Sequence, residues 1–338
     1  MEERLFAATT PGLEPVLGRE LRALGLSPRV VPGGAEVSGP PGTHQRLNVW
    51  LRTATRVLLR LGEGRAPQAF GRLDLSRVRR PGQAVAVEGP VRLREEASRR
   101  WPGQGEPLTL VVNAAGEVSV DTSGEPLFRR GWRQEVGRAP MRETLAAGVL
   151  ALAGFDPSKP LWDVMCGSGT ILIEAAQWAR PPGAKRPFAF QRFPGAVAGD
   201  LAALPGPALA AGTAAILGTD LNAGALGIAR RNARRAGVLE RLTLERLDAT
   251  ALVARPALGP GLLVANLPYG KRAGERGDLR PLYGALGARL RAQLPGWRFA
   301  FLLENHQEAL GLAFDEEHAL DNGGLGCRLC VGTVPPLA

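Results

Sequence analysis

From residue 161 onward, short apolar runs alternate with helical spacings, and the runs end on residues able to hold a ligand. Leu161–Met165 reads as a strand that carries Asp163 and enters the glycine loop Cys166-Gly167-Ser168-Gly169. Thr170–Ala179 then spaces its apolar residues as a helix does. Ala214–Thr219 is a strand ending on Asp220, and Ala223–Ala236 is a helix with Arg230, Arg231, Arg234 and Arg235 on its wet side. Leu242–Leu247 ends on Asp248 and Leu262–Ala265 on Asn266. Leu279–Leu294 is a helix, Arg298–Leu303 a fifth strand and Gly326–Thr333 a last one. Strands alternating with helices form a mainly parallel sheet covered on both faces, an α/β fold. Ligands bind beyond the carboxyl ends of such strands, where Asp163, Asp220, Asp248 and Asn266 all fall.

The N-terminal part has a different texture. Arg4–Ala8 reads as a strand, Pro11–Leu24 as a helix closed by Gly25, and Val30–Val37 as a hairpin around Gly33-Gly34. Arg56–Leu61, Ala84–Glu88, Leu108–Val112 and Glu117–Asp121 are further strands, so this part is one or two small α+β units. Glu88–Leu108, which holds Arg92, Arg94, Arg99, Arg100 and Trp101, is short, and Phe128–Arg138 leads into the second domain. The Pro-, Gly- and Ala-rich stretch from Arg180 to Gly212 has two readings. It is an inert surface insertion, or a loop whose Lys185, Arg186, Phe188, Phe190, Arg192 and Phe193 touch RNA by pairing phosphates and stacking bases.

A chain of 338 residues suits two domains or three. The net charge of +10, carried almost wholly by arginine, admits a polyanion partner or a solvated arginine-rich surface and does not choose between them. Cys327 and Cys330 form a lone CxxC, whereas a zinc site needs about four ligands. With His44, His306 and His318 showing no metal spacing, the cysteines are read as structural and no metal is expected. No run approaches the ~18 apolar residues of a membrane helix, and Met1–Phe6 lacks the pattern of a signal peptide. A cytoplasmic monomer with no membrane partner is the expectation.

Glycines between a strand and a helix let the backbone turn tightly and approach a ligand. A phosphate-cradling loop would need a lysine, and none is present. A dinucleotide fingerprint would need a third glycine where Leu172 stands, and its acid ~20 positions on, whereas Asp220 comes about 50 positions later. Asp163 would repel a pyrophosphate but suits an amine. Asp220, followed by Leu221, suits a ribose diol. Asp248, followed by Ala249, either accepts from an adenine amino group or caps a helix. Together with Cys166, Gly167, Ser168, Gly169 and Thr170 these positions fit a nucleoside with a charged amino-acid tail.

Asn266-Leu267-Pro268-Tyr269-Gly270 follows the fourth strand. The chemistry it suits is methylation of an exocyclic amine, a poor nucleophile whose lone pair is delocalised into its ring. The Asn266 side-chain oxygen and the Pro268 carbonyl can accept its two N–H bonds, and Tyr269 can stack on the base. The alternative is a turn that uses proline and glycine for shape alone.

The order Asp163-x-x-Cys-Gly-Ser-Gly-Thr170, then Asp220, then Asn266-Leu-Pro-Tyr-Gly resembles the class I methyltransferases of the Asn-Pro-Pro-Tyr type, and most of all the THUMP-domain guanine-N2 methyltransferases. Leu5-Phe6-Ala7-Ala8-Thr9, Pro11-Gly12-Leu13-Glu14, Arg130-Gly131-Trp132-Arg133 and Glu143-Thr144-Leu145-Ala146-Ala147 look like the same family. The resemblance implies a ferredoxin-like piece plus a THUMP module that grips structured RNA over residues 1–135, and a Rossmann-like methyltransferase domain over 136–338. It implies S-adenosylmethionine as cofactor, with Pro140–Thr144 packed over it and Glu143 and Thr144 as contacts. The most similar subfamily modifies guanine-N2 in large-subunit ribosomal RNA, and relatives act on the tRNA acceptor stem. Leu267 departs from the commoner motif at a position whose side chain makes none of the contacts above. Three other readings stay open: an adenine-N6 methyltransferase, which the loop cannot separate; a non-catalytic RNA-binding assembly factor; and an NAD-dependent enzyme, disfavoured by the absent third glycine.

Overall fold

The computed structural model describes residues 2–63, 67–134, 141–196, 199–210, 212, 214–269 and 278–336. Pro140, Gly270 and the lead-in past Gln134 lie outside the described residues. The chain forms two compact units, one of Met1–Thr10, Leu17–Arg130 and Pro181–Ala208, the other of Pro11–Val16, Gly131–Arg180 and Leu209–Ala338.

The first unit is built on β1 (Glu3–Thr9), α1 (Glu14–Ala23), β2 (Arg29–Val31), β3 (Gly34–Gly39), α2 (Thr43–Trp50), β4 (Ala54–Glu63), β5 (Gln83–Glu88), α3 (Val91–Arg100), β6 (Gln104–Val112) and β7 (Glu117–Asp121). Its strands form one sheet in the order β2-β3-β1-β4-β7-β6-β5. Every neighbouring pair is antiparallel except β5 and β6, which run parallel. A parallel pair cannot be closed by a hairpin and needs a crossover. The ten-residue helix α3 supplies it, within the short stretch between Glu88 and Leu108.

The segment Pro181–Ala208 returns to this unit, and its aromatic residues are core rather than surface. Phe188, Phe190 and Phe193 are buried with Leu5, Leu47, Val57 and Leu110. The Phe188 and Phe190 rings stack with centroids 5.1 Å apart. Arg186 lies 5.0 Å over the Phe188 ring, donates to the Pro126 carbonyl at 2.7 Å and reaches that of Glu125. The backbone joins too, with Phe190 N–H donating to Thr122 O at 3.0 Å. Neither reading of this stretch, inert insertion or RNA-touching loop, describes aromatic residues turned inward. Phe188→Ala should therefore lower the unfolding free energy by about 3–5 kcal/mol. An unchanged midpoint in denaturant melting would mean that the segment is a dispensable surface loop.

The second unit contains α4 (Glu143–Leu152), β8 (Leu161–Asp163), α5 (Thr170–Ala176), β9 (Ile216–Asp220), α6 (Ala223–Ala236), β10 (Leu242–Arg246), β11 (Leu262–Asn266), α7 (Arg280–Gln293), β12 (Arg298–Leu303), β13 (Glu316–Asp321) and β14 (Gly326–Thr333). Its sheet order is β10-β9-β8-β11-β12-β14-β13. The first five strands in that order are parallel, and β14 runs antiparallel between β12 and β13. Side chains alternate between two cores, as a doubly covered sheet requires. Leu161, Leu262, Val264, Ala300 and Leu302 pack with α4, α5 and α6. Trp162, Leu263, Ala265, Phe299 and Phe301 pack with α7. Cys327 and Cys330 belong to different cores, so their thiols do not converge. No helix among the described residues is long and apolar enough to cross a membrane.

Candidate active site

Four adjacent parallel strands in the second unit, β10, β9, β8 and β11, deliver their carboxyl ends to one rim. Register pairs Asp163 with Gly218 and Val264, and Arg246 with Asp220. The rim therefore carries Asp163, the glycine loop, Asp220, Asp248 and Asn266, as the strand pattern predicts.

The glycine loop is held from below by backbone bonds, Cys166 N–H to Thr219 O at 2.9 Å and Gly169 N–H to Cys166 O at 2.8 Å. Gly167 and Gly169 have φ of +53° and +80°. A Cβ on Gly169 would lie 3.1 Å from that of Ala229, so this glycine serves both the left-handed turn and the approach of α5 to α6. The Cys166 side chain is buried in the core and burial pushes its thiol up, which leaves its backbone for any ligand.

Asp220 closes the loop. One oxygen accepts from Gly167 N–H at 2.9 Å and the other from Asn222 N–H at 2.8 Å. A carboxylate offers about four acceptor positions, so two remain for hydroxyl groups. Leu221 beside it is exposed. Asp248 caps a short turn, its Oδ1 accepting from the Thr250 N–H and hydroxyl at 2.8 and 2.7 Å. Those bonds hold its carboxyl below the ordinary range. Ala249 is buried behind it.

Asp163 is only 2% exposed, and among the described residues its one hydrogen bond is from Met165 N–H at 3.2 Å. Burial pushes this carboxyl up to about 8; the Met165 bond opposes the push and the Asp220 charge adds to it. A cation is what this position lacks.

The start of α4 is tied to the loop by a residue to which the sequence assigned no role. Arg133 donates to Glu143 Oε1 at 2.9 Å, to Met141 O at 2.6 Å and to Thr170 Oγ1 at 2.8 Å. Thr144 Oγ1 is buried without a partner among the described residues.

The loop after β11 is braced by two more residues that sequence reasoning missed. The Tyr283 hydroxyl donates to the Pro268 carbonyl at 2.7 Å, and Asn322 Nδ2 donates to the Tyr269 hydroxyl at 2.6 Å. Tyr269 is half-buried against the core of α4 to α6. Burial pushes its phenol up to about 12, so it stays neutral. Asn266 Oδ1 is buried with no donor among the described residues. A buried acceptor without a partner costs about 1–3 kcal/mol, so this oxygen is suited to accept an N–H.

These features test S-adenosylmethionine as the ligand. An unpaired buried carboxyl fits its amino group, the two open positions of Asp220 fit its ribose, and no lysine or arginine of the loop provides for a pyrophosphate. A parallel sheet with one reversed strand, this glycine loop and these acids define a class I S-adenosylmethionine-dependent methyltransferase. Residues 130–329 match the family described as "RMKL-like, methyltransferase domain" and residues 4–58 match "RlmL ferredoxin-like domain"; the chain belongs to this RlmKL-like methyltransferase family. The "Ribosomal RNA large subunit methyltransferase K/L" of Methylococcus capsulatus is 34% identical, over 99% of this chain and 52% of that protein. The chain thus spans about half the length of the curated relative it matches. Among solved structures, SMU.472, "a putative methyltransferase complexed with SAH", is 26% identical with a TM-score of 0.85, over 100% of this chain and 99% of its own. "A predicted N6-adenine-specific DNA methylase" from Listeria monocytogenes is also 26% identical, with a TM-score of 0.84, over 99% and 97%.

Proposed function

We propose that the protein methylates the exocyclic N2 of a guanine in structured RNA, with 23S ribosomal RNA as the substrate and the tRNA acceptor stem as the next choice. The observation that carries the reading is the buried Asn266 Oδ1 at the end of β11, which has no hydrogen-bond partner among the described residues. Bound S-adenosylmethionine supplies a methyl group on a sulfonium, an electrophile. Asn266 Oδ1 accepts one N–H of the base amine. The Pro268 carbonyl, one lone pair already taken by Tyr283, offers its other to the second N–H. With both N–H bonds held, the nitrogen lone pair faces the donor, and the acceptors stabilise the positive charge that develops on nitrogen. No general base is demanded, since the proton leaves after the bond forms.

Asp163, Asp220, Leu221, Asp248, Ala249, Glu143, Thr144 and the loop Cys166–Thr170 are the cofactor side of this reading, and Tyr269 supports the flipped base. Residues 1–135 act as the RNA-binding part, ferredoxin-like plus a THUMP module, and residues 136–338 as the methyltransferase domain. The name of the Methylococcus relative supports ribosomal RNA. The name of the Listeria structure supports the second reading, adenine-N6, which the same loop would serve. Mass spectrometry of nucleosides from 23S transcript and tRNA treated with the pure protein separates them. N2-methylguanosine in the ribosomal RNA is the expected product; N6-methyladenosine would overturn the choice of base, and product in tRNA alone the choice of RNA.

A further inference from the structure

We propose that the arginine face of α6 and β10 is a docking surface for the phosphate backbone of the substrate RNA; this rests on the RNA reading above. Between Leu221 and Leu247 stand six arginines, Arg230, Arg231, Arg234, Arg235, Arg241 and Arg246, against two acids, Glu240 and Glu245. All six arginines are exposed. Glu245 is engaged by Arg255.

Three of the six are held by backbone carbonyls, which leave the charge uncompensated. Arg230 donates to Leu244 O at 3.0 Å and Arg246 to Leu221 O at 3.0 Å. Arg241 donates to Gly212 O at 2.7 Å and to Ala176 O. A guanidinium has five N–H donors, so each keeps most of its fork for a second partner. Ordering an arginine costs up to about 2 kcal/mol of side-chain entropy, and these contacts meet part of that cost before a ligand arrives.

On α6 the buried side is Leu226, Ala229, Ala233 and Ala236. The arginines occupy the other side in two i,i+4 rows, Arg230 with Arg234 and Arg231 with Arg235, each step rising about 6 Å. Like charges at that spacing destabilise a helix by a few tenths of a kcal/mol each, and a closely spaced anion would reverse the sign. The stripe starts at the cofactor rim, since Arg246 pairs in register with Asp220. Phosphate favours arginine's planar fork. A lipid surface would require bulky apolar residues between the charges, and the exposed side of α6 otherwise carries Ala223, Gly224 and Gly237.

The test is the triple variant Arg230→Gln, Arg231→Gln, Arg234→Gln, in which glutamine keeps the helix propensity. Binding to a 23S transcript is titrated against salt and methyl transfer is followed. The expected result is a salt slope lower by about 2, from ~0.7 per lost phosphate contact. The KM for RNA should rise by at least about tenfold, with kcat and the S-adenosylhomocysteine Kd unchanged. A wild-type slope and KM in an active enzyme would overturn the proposal. So would an equal fall in Arg291→Gln, Arg298→Gln, Arg328→Gln, which removes the same charge from the methyltransferase domain away from α6 and β10. A wild-type protein that neither binds nor methylates RNA would overturn the substrate reading, and this face with it.

Discussion

Asn266→Ala should bind S-adenosylmethionine with a Kd close to wild type and lose methyl transfer by ~10²–10³-fold, the range seen when one preorganised partner of a developing charge is removed. Its effect on stability should go the other way. Wild type carries a buried acceptor with no donor among the described residues, and alanine removes that cost. The variant should therefore melt at or slightly above the wild-type temperature. Lower activity with undiminished stability separates a reacting-group contact from a structural turn residue, whose loss would lower both. A variant that turns over at the wild-type rate would end the assignment of Asn266 and with it the exocyclic-amine reading.

Asp163 should make cofactor binding strongly dependent on pH. Its carboxyl, pushed up to about 8 by burial, is protonated in the free protein at neutral pH. A cationic amino group placed beside it favours the carboxylate, so binding expels the proton. Affinity then rises with pH by up to about tenfold per unit below the pKa, about 50-fold in all between pH 6 and 8. The stability of the free protein runs the opposite way. A carboxyl whose folded pKa is raised above its unfolded value stabilises the fold at low pH, and that contribution is lost as pH rises toward 8. Calorimetry with S-adenosylhomocysteine in buffers of different ionisation enthalpy should detect the released proton. Asp163→Asn should bind weakly, show no proton release and lose little stability between pH 5 and 8. A wild-type Kd that is flat from pH 6 to 8 would show that no cation sits on Asp163.

Both loops proposed to hold the cofactor and the base stand out in the sequence because their chemistry is contiguous. Asp163–Thr170 and Asn266–Tyr269 each concentrate glycine, proline and acceptors within a few residues after an apolar run. The bracing contacts do not, because Arg133–Thr170, Tyr283–Pro268 and Asn322–Tyr269 join residues that follow no local spacing along the chain. Tyr283 reads as one more residue of α7 until its hydroxyl is seen on the Pro268 carbonyl. The strand β13 escaped for a different reason. At the sheet edge its residues Glu316–Asp321 are mostly exposed, so no apolar alternation marks it. In α4 the first eight residues are all buried, which removes the polar face that signals a helix.

The stretch from Pro181 to Ala208 shows where local reading fails outright. Basic and aromatic residues interleaved in a Pro- and Gly-rich segment look the same in sequence whether the rings face RNA or a core. Only the partners distinguish the two, and Leu47, Val57 and Leu110 are remote in the chain. Sequence alone determined the alternation of strands and helices, the rim on which the acids fall and the two loops, because strand ends and backbone turns are set by neighbouring residues. Tertiary structure decided which polar atoms are buried without a partner, which carboxyl is starved of a cation and which aromatic residues are core. Burial and desolvation belong to the assembled surroundings of a group rather than to the residues beside it.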